Sequence, residues 1–258
     1  MITDTDDGYV KTQSQDGIAT IEFFHPQGNS LPSRILRELA HAIHEEGKND
    51  ETNVIVLQSA GDRTFCSGAS FKELAAITNE EEGLDFFSGF ANVINAMRKA
   101  PKFIIARVQG KCVGGGVGIV AAADYAIAME GADIKLSELS LGIGPFVVGP
   151  AVERKVGLPS FTELTIDSTT WRSAEWAWRK GLFAELHSDS ASMDNAIARL
   201  AKTLAGNNPE AMKELKKIFW KGTEDWDELL IERAAISGRL ILSGHSKKFI
   251  DNYNKKRD

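Results

Sequence analysis

Lys102–Met129 reads KFIIARVQGKCVGGGVGIVAAADYAIAM, and its pattern of apolar residues and glycines predicts the fold class of the chain. Lys102–Val108 and Tyr125–Met129 have the length and composition of strands, whereas Gly114–Ala123 has the length of a short helix that glycines open. A strand, a helix and a second strand form a βαβ unit, whose two strands pair in parallel. This stretch therefore predicts an α/β fold with a mostly parallel sheet.

The upstream sequence extends this prediction. Tyr9–Ser14 and Ile18–Phe24 are predicted to pair as a hairpin, because a turn sequence with glycine separates them. Leu31–Glu46 has the apolar spacing of a helix, and Val54–Leu57 has the continuous apolar content of a strand that is buried on both faces.

The downstream sequence is mainly helical after Pro145. Helical spacing predicts one helix before that point and several after it: Phe86–Arg98, Ala174–Lys180, Met193–Ala205, Pro209–Lys221 and a tail, Asp227–Tyr253, that is interrupted near Ser243. We therefore expect an α/β core over residues 1–190 and a helical region over residues 191–258.

Composition excludes several classes of protein. The chain of 258 residues has 30 Lys and Arg against 36 Asp and Glu, a net charge of −6, and so lacks the basic excess that nucleic-acid phosphates require. The acidic segment Met1–Asp7 is not a secretion signal, and no apolar run is long enough to span a membrane. We expect a cytoplasmic protein in which Cys66 and Cys112 are free thiols that serve packing.

The first candidate site is the loop Thr64–Glu73, TFCSGASFKE, between a predicted strand and a predicted helix. Its small residues allow backbone N–H groups to approach a ligand, and a helix start leaves N–H groups unpaired and partly positive. The alternative is a tight loop in which Ser70 caps the helix, and the residues alone favour this structural role.

The second candidate site is Gly110–Gly118, GKCVGGGVG, with four glycines in the five positions from Gly114. Each glycine costs up to about 1 kcal/mol relative to alanine inside a helix, so the backbone is expected to lie close to a ligand or to another part of the protein. Gly116–Ala121 also fits the dinucleotide pattern G-x-G-x-x-A, with Glu138 downstream as its acid. We disfavour that interpretation, because no strand runs directly into the first glycine of the pattern.

The third candidate is Glu138, a lone carboxylate in a stretch without Lys or Arg from Leu136 to Glu153. Burial among apolar residues would raise the pKa of this carboxyl group and suit it to proton transfer near neutral pH. The alternative, which the residue by itself favours, is an ordinary surface glutamate. His41 and His44 lie one helical turn apart without a third ligand, so no metal site is predicted.

Most aromatic residues are assigned to packing. Phe86, Phe87 and Phe90 could line a pocket or belong only to the core, and their helical spacing favours the core. Three tryptophans are assigned to the core or to an interface: Trp171, Trp176 and Trp178.

Together, these segments resemble the crotonase superfamily, also called the enoyl-CoA hydratase/isomerase family, from Ile18 to the C-terminus. Phe65–Glu73 is similar to the family pattern F-x-[AS]-G-[AL]-D-[IL]-x-E, and Gly110–Gly116 is similar to G-x-[AC]-x-G-G-G. Asn29-Ser30-Leu31 resembles the motif N-[AS]-L, and Arg172–Leu186 resembles a later Arg-Ala-Gly-Leu motif. The order and spacing of the motifs carry the resemblance, since each motif alone is weak.

The resemblance implies a crotonase-like ββα spiral with a C-terminal helical trimerisation region, assembled as a homotrimer or a dimer of trimers. It implies an acyl-CoA thioester as the substrate, with coenzyme A as part of that substrate and no separate cofactor. The thioester oxygen would lie between the amides of Ala69 and Gly115, and Glu138 would be the catalytic acid and base. Further contacts with the substrate or with CoA are expected from Ser67, Gly68, Ser70, Phe71, Gly114 and Ser137.

The resemblance also bears on the reaction. Hydratases of the family carry two glutamates, whereas this chain has Gly118 at the first position and Glu138 at the second. One carboxylate is enough to move a proton from the α to the γ carbon, so isomerisation of 3-enoyl-CoA to 2-enoyl-CoA in fatty-acid metabolism is predicted. The alternatives are a 2-enoyl-CoA hydratase and a non-catalytic CoA-binding protein with an exposed Glu138. Ser70 replaces the usual Asp of the family, and Ser137 replaces an Asn of its isomerases.

Overall fold

The computed structural model describes residues 7–254. Residues 1–6, which form most of the acidic N-terminal segment, and residues 255–258 lie outside the described residues. Among the helices between residues 7 and 254, none is both long enough and apolar enough to cross a bilayer.

The described residues form nine strands and eleven helices. The strands are β1 (Tyr9–Gln15), β2 (Ile18–Phe24), β3 (Val54–Ser59), β4 (Thr64–Cys66), β5 (Phe103–Val108), β6 (Lys111–Val113), β7 (Tyr125–Met129), β8 (Ile134–Lys135) and β9 (Glu185–His187). The helices are α1 (Ser33–Lys48), α2 (Phe71–Ala76), α3 (Glu80–Lys99), α4 (Gly115–Ala122), α5 (Gly149–Val156), α6 (Leu158–Ile166), α7 (Ala174–Arg179), α8 (Ser190–Ala205), α9 (Pro209–Phe219), α10 (Trp226–Ile241) and α11 (Gly244–Asn254). A short 3₁₀ turn covers Glu138–Leu141.

Six strands form the main sheet in the order β1-β2-β3-β5-β7-β9. β1 and β2 are an antiparallel hairpin, and the other neighbouring pairs are parallel. β3 is buried on both faces, because Ile55 and Leu57 lie in the larger core whereas Val54 and Val56 pack against α8 on the opposite face. The α/β fold with a mostly parallel sheet is therefore confirmed.

A second, three-stranded sheet has the order β4-β6-β8 and is also parallel. Its register pairs Cys66 with Cys112 and Cys112 with Ile134, and all three side chains are buried. The sequence does not predict these strands, because two or three residues are too few to show a periodic pattern. Since parallel strands end at the same edge of a sheet, the segments that follow β4, β6 and β8 lie side by side.

Several helices differ from the prediction. The helix predicted over Phe86–Arg98 begins earlier, at Glu80, because the Asn79 side chain accepts a hydrogen bond from the Glu82 amide and caps it. The sequence does not predict α5 and α6, whose first turns contain proline. The predicted interruption near Ser243 is confirmed, since it separates α10 from α11.

α3 and α10 cross at two glycines, Gly83 and Gly238. A β-carbon on Gly83 would lie 2.6 Å from the Gly238 Cα, so this crossing excludes larger residues. The close contact brings Phe87 and Phe90 of α3 and Ser237 of α10 to the wall of one cavity.

A buried ion pair attaches α9 to the main sheet. Lys216 is 2% exposed, and its Nζ donates hydrogen bonds to Asp124 Oδ2 at 2.9 Å and to the Lys102 carbonyl at 2.7 Å. Asp124 also accepts hydrogen bonds from the Ile104 amide and the Trp220 indole. These bonds compensate for the hydration that both charges lose on burial.

The division of the chain into a core over residues 1–190 and a separate helical region over residues 191–258 stays a prediction. α8 begins at Ser190, and its Met193 and Ile197 pack against Ile105 and Ile127 of the main sheet. This helix is therefore part of a layer that covers the sheet.

Lys216→Met is expected to lower the free energy of unfolding by about 3–5 kcal/mol, because it leaves the buried Asp124 carboxylate without its counter-charge. Urea denaturation measures the change. Lys217→Met is the matched control, since Lys217 is exposed and its replacement should cost less than about 1 kcal/mol. Equal effects of the two substitutions would show that the buried pair contributes nothing specific.

Candidate active site

Two backbone amides lie where the segments after β4 and β6 meet. The Leu31 amide donates to the Gly68 carbonyl at 2.8 Å, and the Ser70 amide donates to the Leu31 carbonyl at 3.1 Å, so the intervening Ala69 amide points away from Leu31. The Gly115 amide is at the first turn of α4, where a helix leaves its donors unpaired. Within residues 7–254, neither the Ala69 nor the Gly115 amide has a hydrogen-bond acceptor.

The two segments are in direct contact. A β-carbon on Gly68 would lie 3.1 Å from the Val113 carbonyl oxygen and 3.8 Å from the Gly115 nitrogen. Gly68 also has φ +92, a conformation that side chains disfavour. The resulting closeness allows one ligand atom to approach the Ala69 and Gly115 amides together.

The glycines of α4 lie against other parts of the protein. A β-carbon would lie 2.0 Å from the Phe90 ring at Gly115, 2.7 Å from the Cys66 Cβ at Gly116 and 2.4 Å from the Val148 Cγ1 at Gly118. These contacts explain the glycine cluster by close packing around the cavity, so a dinucleotide is not needed to explain it.

Glu138 is the first residue of the 3₁₀ turn that follows β8, and its side chain lies against Gly114. A β-carbon on Gly114 would lie 3.0 Å from Glu138 Oε1, so an alanine there would press on the carboxylate. Glu138 Oε2 is inaccessible to solvent and has no hydrogen-bond partner among the described residues. Loss of hydration raises the pKa of Glu138 to about 7, although the backbone amides of Glu138 and Ser137 offset part of this effect.

The turn that carries Glu138 is held by backbone hydrogen bonds and by α11. The Ile143 amide donates to the Glu138 carbonyl at 3.1 Å, and Gly142 has φ +84. A β-carbon on Gly142 would lie 2.6 Å from Ser246 Oγ and 2.7 Å from His245 Cδ2. The first turn of α11 therefore packs directly on the segment that positions the carboxylate.

Asn29 holds the loop at the opposite side of the site. Its side-chain amide donates to the carbonyls of Ala60 and Thr64, and its side-chain oxygen accepts from the His25 amide. Asn29 is buried and its φ is +55, which asparagine tolerates better than most residues. These bonds keep residues 25–30 beside Ser67.

These segments enclose a cavity of about 880 Å³. Glu138 is the one acidic side chain and Lys135 the one basic side chain among the described residues that line it. Much of the remaining wall is apolar and includes Phe87, Phe90, Leu141, Phe146, Val148 and Phe249. A cavity of this kind can hold an apolar group next to a single titratable acid.

The structure brings most of the predicted site residues to this cavity. The residues of the prediction that line it are Ser67, Gly68, Ala69, Phe71, Gly114, Gly115, Ser137 and Glu138. Ser70 is not among the lining residues; it is buried, and its hydroxyl accepts a hydrogen bond from the Glu73 amide at the start of α2. Ser70 therefore has the capping role that the residues alone favour.

Other residues of the cavity were not predicted from the sequence. Phe87 and Phe90 are buried, as expected of core residues, but they also line the cavity, so the favoured assignment to the core alone is wrong for these two and the pocket alternative is correct. Val148, Ser237 and Phe249 come from distant parts of the chain, and no local pattern marks them. One feature of the sequence could have identified Lys135 as a site residue, since it is a lone cation three residues before Glu138.

The two cysteines do not supply a nucleophile. Burial raises the pKa of Cys66 to about 12 and raises the pKa of Cys112 well above its ordinary value, so both remain protonated thiols. Between residues 7 and 254, no three His, Cys, Asp or Glu side chains are grouped as metal ligands would be.

The chain is similar to proteins of one described family. Residues 13–258 match the family model described as Enoyl-CoA hydratase/isomerase. A relative from Rhodococcus jostii (strain RHA1), a (7aS)-7a-methyl-1,5-dioxo-2,3,5,6,7,7a-hexahydro-1H-indene-carboxyl-CoA hydrolase, is 36% identical over 135 residues, which is 52% of each chain. The mitochondrial Delta(3,5)-Delta(2,4)-dienoyl-CoA isomerase of Mus musculus is 23% identical over 260 residues, which is 96% of this chain and 79% of that protein.

The fold is similar to that of solved structures. The crystal structure of enoyl-CoA hydratase from Bacillus halodurans superimposes with a TM-score of 0.87 at 22% identity, covering 95% of this chain and 99% of that chain. The hydrolase, the isomerase and this hydratase are named for three different reactions.

The raised pKa of Glu138 predicts how stability depends on pH. Because the folded protein keeps this carboxyl protonated up to about pH 7, whereas the unfolded chain ionises it near pH 4.5, the contribution of Glu138 to stability decreases between these pH values. Relative to Glu138→Gln, the wild type should lose up to roughly 3 kcal/mol of unfolding free energy from about pH 4 to about pH 8. Urea denaturation at both pH values tests this, and a pH-independent difference would contradict the raised pKa.

Proposed function

Because this chain belongs to the enoyl-CoA hydratase/isomerase family of the crotonase superfamily, we propose that it converts a 3-enoyl-CoA into a 2-enoyl-CoA. The observation that carries this proposal is a single shielded carboxyl group beside two unpaired amides in one cavity. Membership of the family supports an acyl-CoA thioester as the class of substrate. The shift of the double bond from position 3 to position 2 is our proposal.

The reaction begins with the thioester carbonyl oxygen between the Ala69 and Gly115 amides. The Glu138 carboxylate removes a proton from the α carbon, and the electron pair moves into the thioester to form a dienolate. The two amides stabilise this negative charge, each by roughly 3 kcal/mol, and the N-terminus of α4 adds its positive end. Glu138 then returns the proton to the γ carbon, which leaves the double bond next to the thioester without net gain or loss of atoms.

The environment of Glu138 suits both proton transfers. A carboxyl group with a pKa near 7 can accept the proton and release it again at neutral pH, whereas an ordinary glutamate is a weaker base. Shielding of Glu138 Oε2 from solvent also limits exchange of the proton with water during the shift.

The packing around Gly118 argues against a hydratase. Addition of water to a double bond is assisted by a second acid, which hydratases of the family carry at the position of Gly118. Here a side chain at Gly118 would collide with Val148, whose Cγ1 lies 2.4 Å from the β-carbon position. Glu138 is also the one acid among the described residues that line the cavity.

The non-catalytic alternative expects an exposed Glu138 with an ordinary pKa. The inaccessible Oε2 atom and the raised pKa support an enzyme instead. Shielding a carboxylate from water without a counter-charge lowers the stability of the fold. A protein that only binds CoA would gain nothing from it.

We also propose the homotrimer or dimer of trimers that the family resemblance implies. α9 exposes Leu215, Ile218 and Phe219, with 44%, 66% and 49% of their surfaces accessible, and a subunit contact would bury them. Sedimentation equilibrium of the full chain tests this state.

Glu138→Gln is expected to reduce kcat on a 3-enoyl-CoA by at least about 100-fold, because an amide cannot accept the α proton. Formation of the conjugated thioester, followed by absorbance, measures the rate, and calorimetry with a saturated acyl-CoA should show unchanged binding. Glu153→Gln is the matched control, since Glu153 is the next acid along the chain and is exposed. Isomerisation by Glu138→Gln within a few-fold of wild type would remove Glu138 from the mechanism.

Gly118→Glu is expected to destabilise the protein by more than about 2 kcal/mol, because the new side chain collides with Val148. Gly118→Glu combined with Val148→Gly should regain folding and form 3-hydroxyacyl-CoA from a 2-enoyl-CoA, a product detected by its added mass of water. Wild type should form little of this product. Wild-type hydration as fast as isomerisation would favour the hydratase alternative.

A further inference from the structure

Two lysines lie against one tryptophan beside the cavity. The Nζ atoms of Lys111 and Lys135 lie 4.8 Å and 4.7 Å from the centroid of the Trp171 ring, within the range of cation–π attraction. We name Lys111, Lys135 and Trp171 the lysine–tryptophan cluster. Trp171 is 38% exposed, so it is not a core residue, and its alternative assignment to an interface stays a prediction.

The small sheet determines where these side chains lie. Val113 of β6 pairs with Lys135 of β8, and Lys111 is two residues before Val113 in the same strand. Because side chains alternate along a strand, Lys111, Val113 and Lys135 share one face, whereas Cys112 and Ile134 are buried behind it. Both lysine side chains therefore lie on the same face of the small sheet.

Trp171 is held in place by its neighbour in the chain. Arg172 forms an antiparallel bridge with Ile134, through amide-to-carbonyl hydrogen bonds of 2.8 Å and 2.9 Å. The Arg172 guanidinium is also paired with Glu163 and Asp167. The indole is thus fixed beside the lysines by backbone and ionic contacts.

The charges of the two lysines are not neutralised within the described residues. Neither Nζ lies within 4.0 Å of a carboxylate between residues 7 and 254, although the chain as a whole is acidic, with a net charge of −6. Because both ammonium groups are within 5 Å of one ring, they are less than roughly 10 Å apart, which is about the Debye length at 0.1 M salt. Two like charges at this separation repel, and an anion between them would remove the repulsion.

The cluster reaches the cavity through Lys135, whereas Lys111 and Trp171 are not among the lining residues. Lys135 lines the cavity and is the one cation among its described lining residues. Ser137, Ser140 and Thr169 are among the hydroxyl-bearing residues that line the same cavity, and Thr169 is two residues before Trp171. These residues contrast with the phenylalanines on the apolar wall.

The cluster lies on the acyl side of the site. The small sheet has the order β4-β6-β8, so Lys135 in β8 and the turn with Glu138 that follows it lie on the side opposite to β4. Of the residues expected to contact the substrate or CoA, Ser67, Gly68 and Phe71 follow β4 and line the cavity. A thioester bound between the Ala69 and Gly115 amides would have room for its acyl group toward β8.

We propose that the lysine–tryptophan cluster binds a second, anionic carboxylate on the acyl group, so that the substrates are mono-CoA thioesters of dicarboxylic acids. Lys135 donates hydrogen bonds to this carboxylate, and Lys111 adds attraction from the same face. This inference rests on the proposed acyl-CoA function of the cavity. A plain alkyl chain would contact the apolar wall and make no use of the paired charges.

Binding of saturated thioesters tests the inference without turnover. Adipoyl-CoA is compared with hexanoyl-CoA, and succinyl-CoA and suberyl-CoA with their monocarboxylic counterparts, by isothermal titration calorimetry. Wild type should bind at least one dicarboxylic thioester about tenfold more tightly than its counterpart, since a partly exposed charged hydrogen bond contributes this order of affinity. Equal affinities for every pair would overturn the proposal, even if isomerase activity is present.

Substitutions then identify the source of the preference. Lys135→Gln should remove the preference for the dicarboxylic thioester and leave the affinity for hexanoyl-CoA within about twofold of wild type. Lys180→Gln is the matched control, because Lys180 lies over Trp176 away from the cavity and should change neither affinity. If Lys135→Gln weakens adipoyl-CoA, hexanoyl-CoA and free CoA equally, the lysines bind the phosphates of CoA and the proposal is wrong.

Discussion

Direct contact between backbone segments is the constraint on which this site depends. The Ala69 and Gly115 amides can serve one ligand atom because no side chain separates the segments after β4 and β6. Any β-carbon at Gly115 would overlap the Phe90 ring, and any at Gly116 would overlap Cys66. Each glycine in a helix lowers stability by up to about 1 kcal/mol relative to alanine. The glycines of α4 therefore destabilise this helix, but they allow the two segments to approach each other.

The same close packing sets the electrostatics of Glu138. Its carboxylate lies against Gly114, where it loses hydration without gaining a counter-charge, and its pKa rises to about 7. Low local polarity also strengthens hydrogen bonds from backbone amides to a developing anion. One environment therefore makes the carboxyl group a usable base and makes the two amides effective donors.

The three-stranded sheet connects the chemistry with the proposed choice of substrate. Its carboxyl edge carries the segments with Ala69, Gly115 and Glu138, whereas one of its faces carries Lys111 and Lys135 beside Trp171. The pairing of β6 with β8 fixes both this edge and this face, so it also fixes where the lysines lie relative to the carboxyl group proposed to be catalytic. A shift of one residue in this register would place the two lysines on opposite faces of the sheet.

The sequence by itself determined the hairpin, the βαβ order, the helical C-terminal part and the three segments of the site, because periodicity and glycine content are local properties. It left open whether the Glu138 carboxylate was shielded from solvent and whether Ser70 or the phenylalanines lined the cavity. Only the tertiary structure decided these points, and it alone revealed the small sheet, the block of Gly118 by Val148 and the meeting of Lys111, Lys135 and Trp171. The physical reason is that burial, the pKa and close contact belong to the surroundings of a residue, which segments distant in the chain supply.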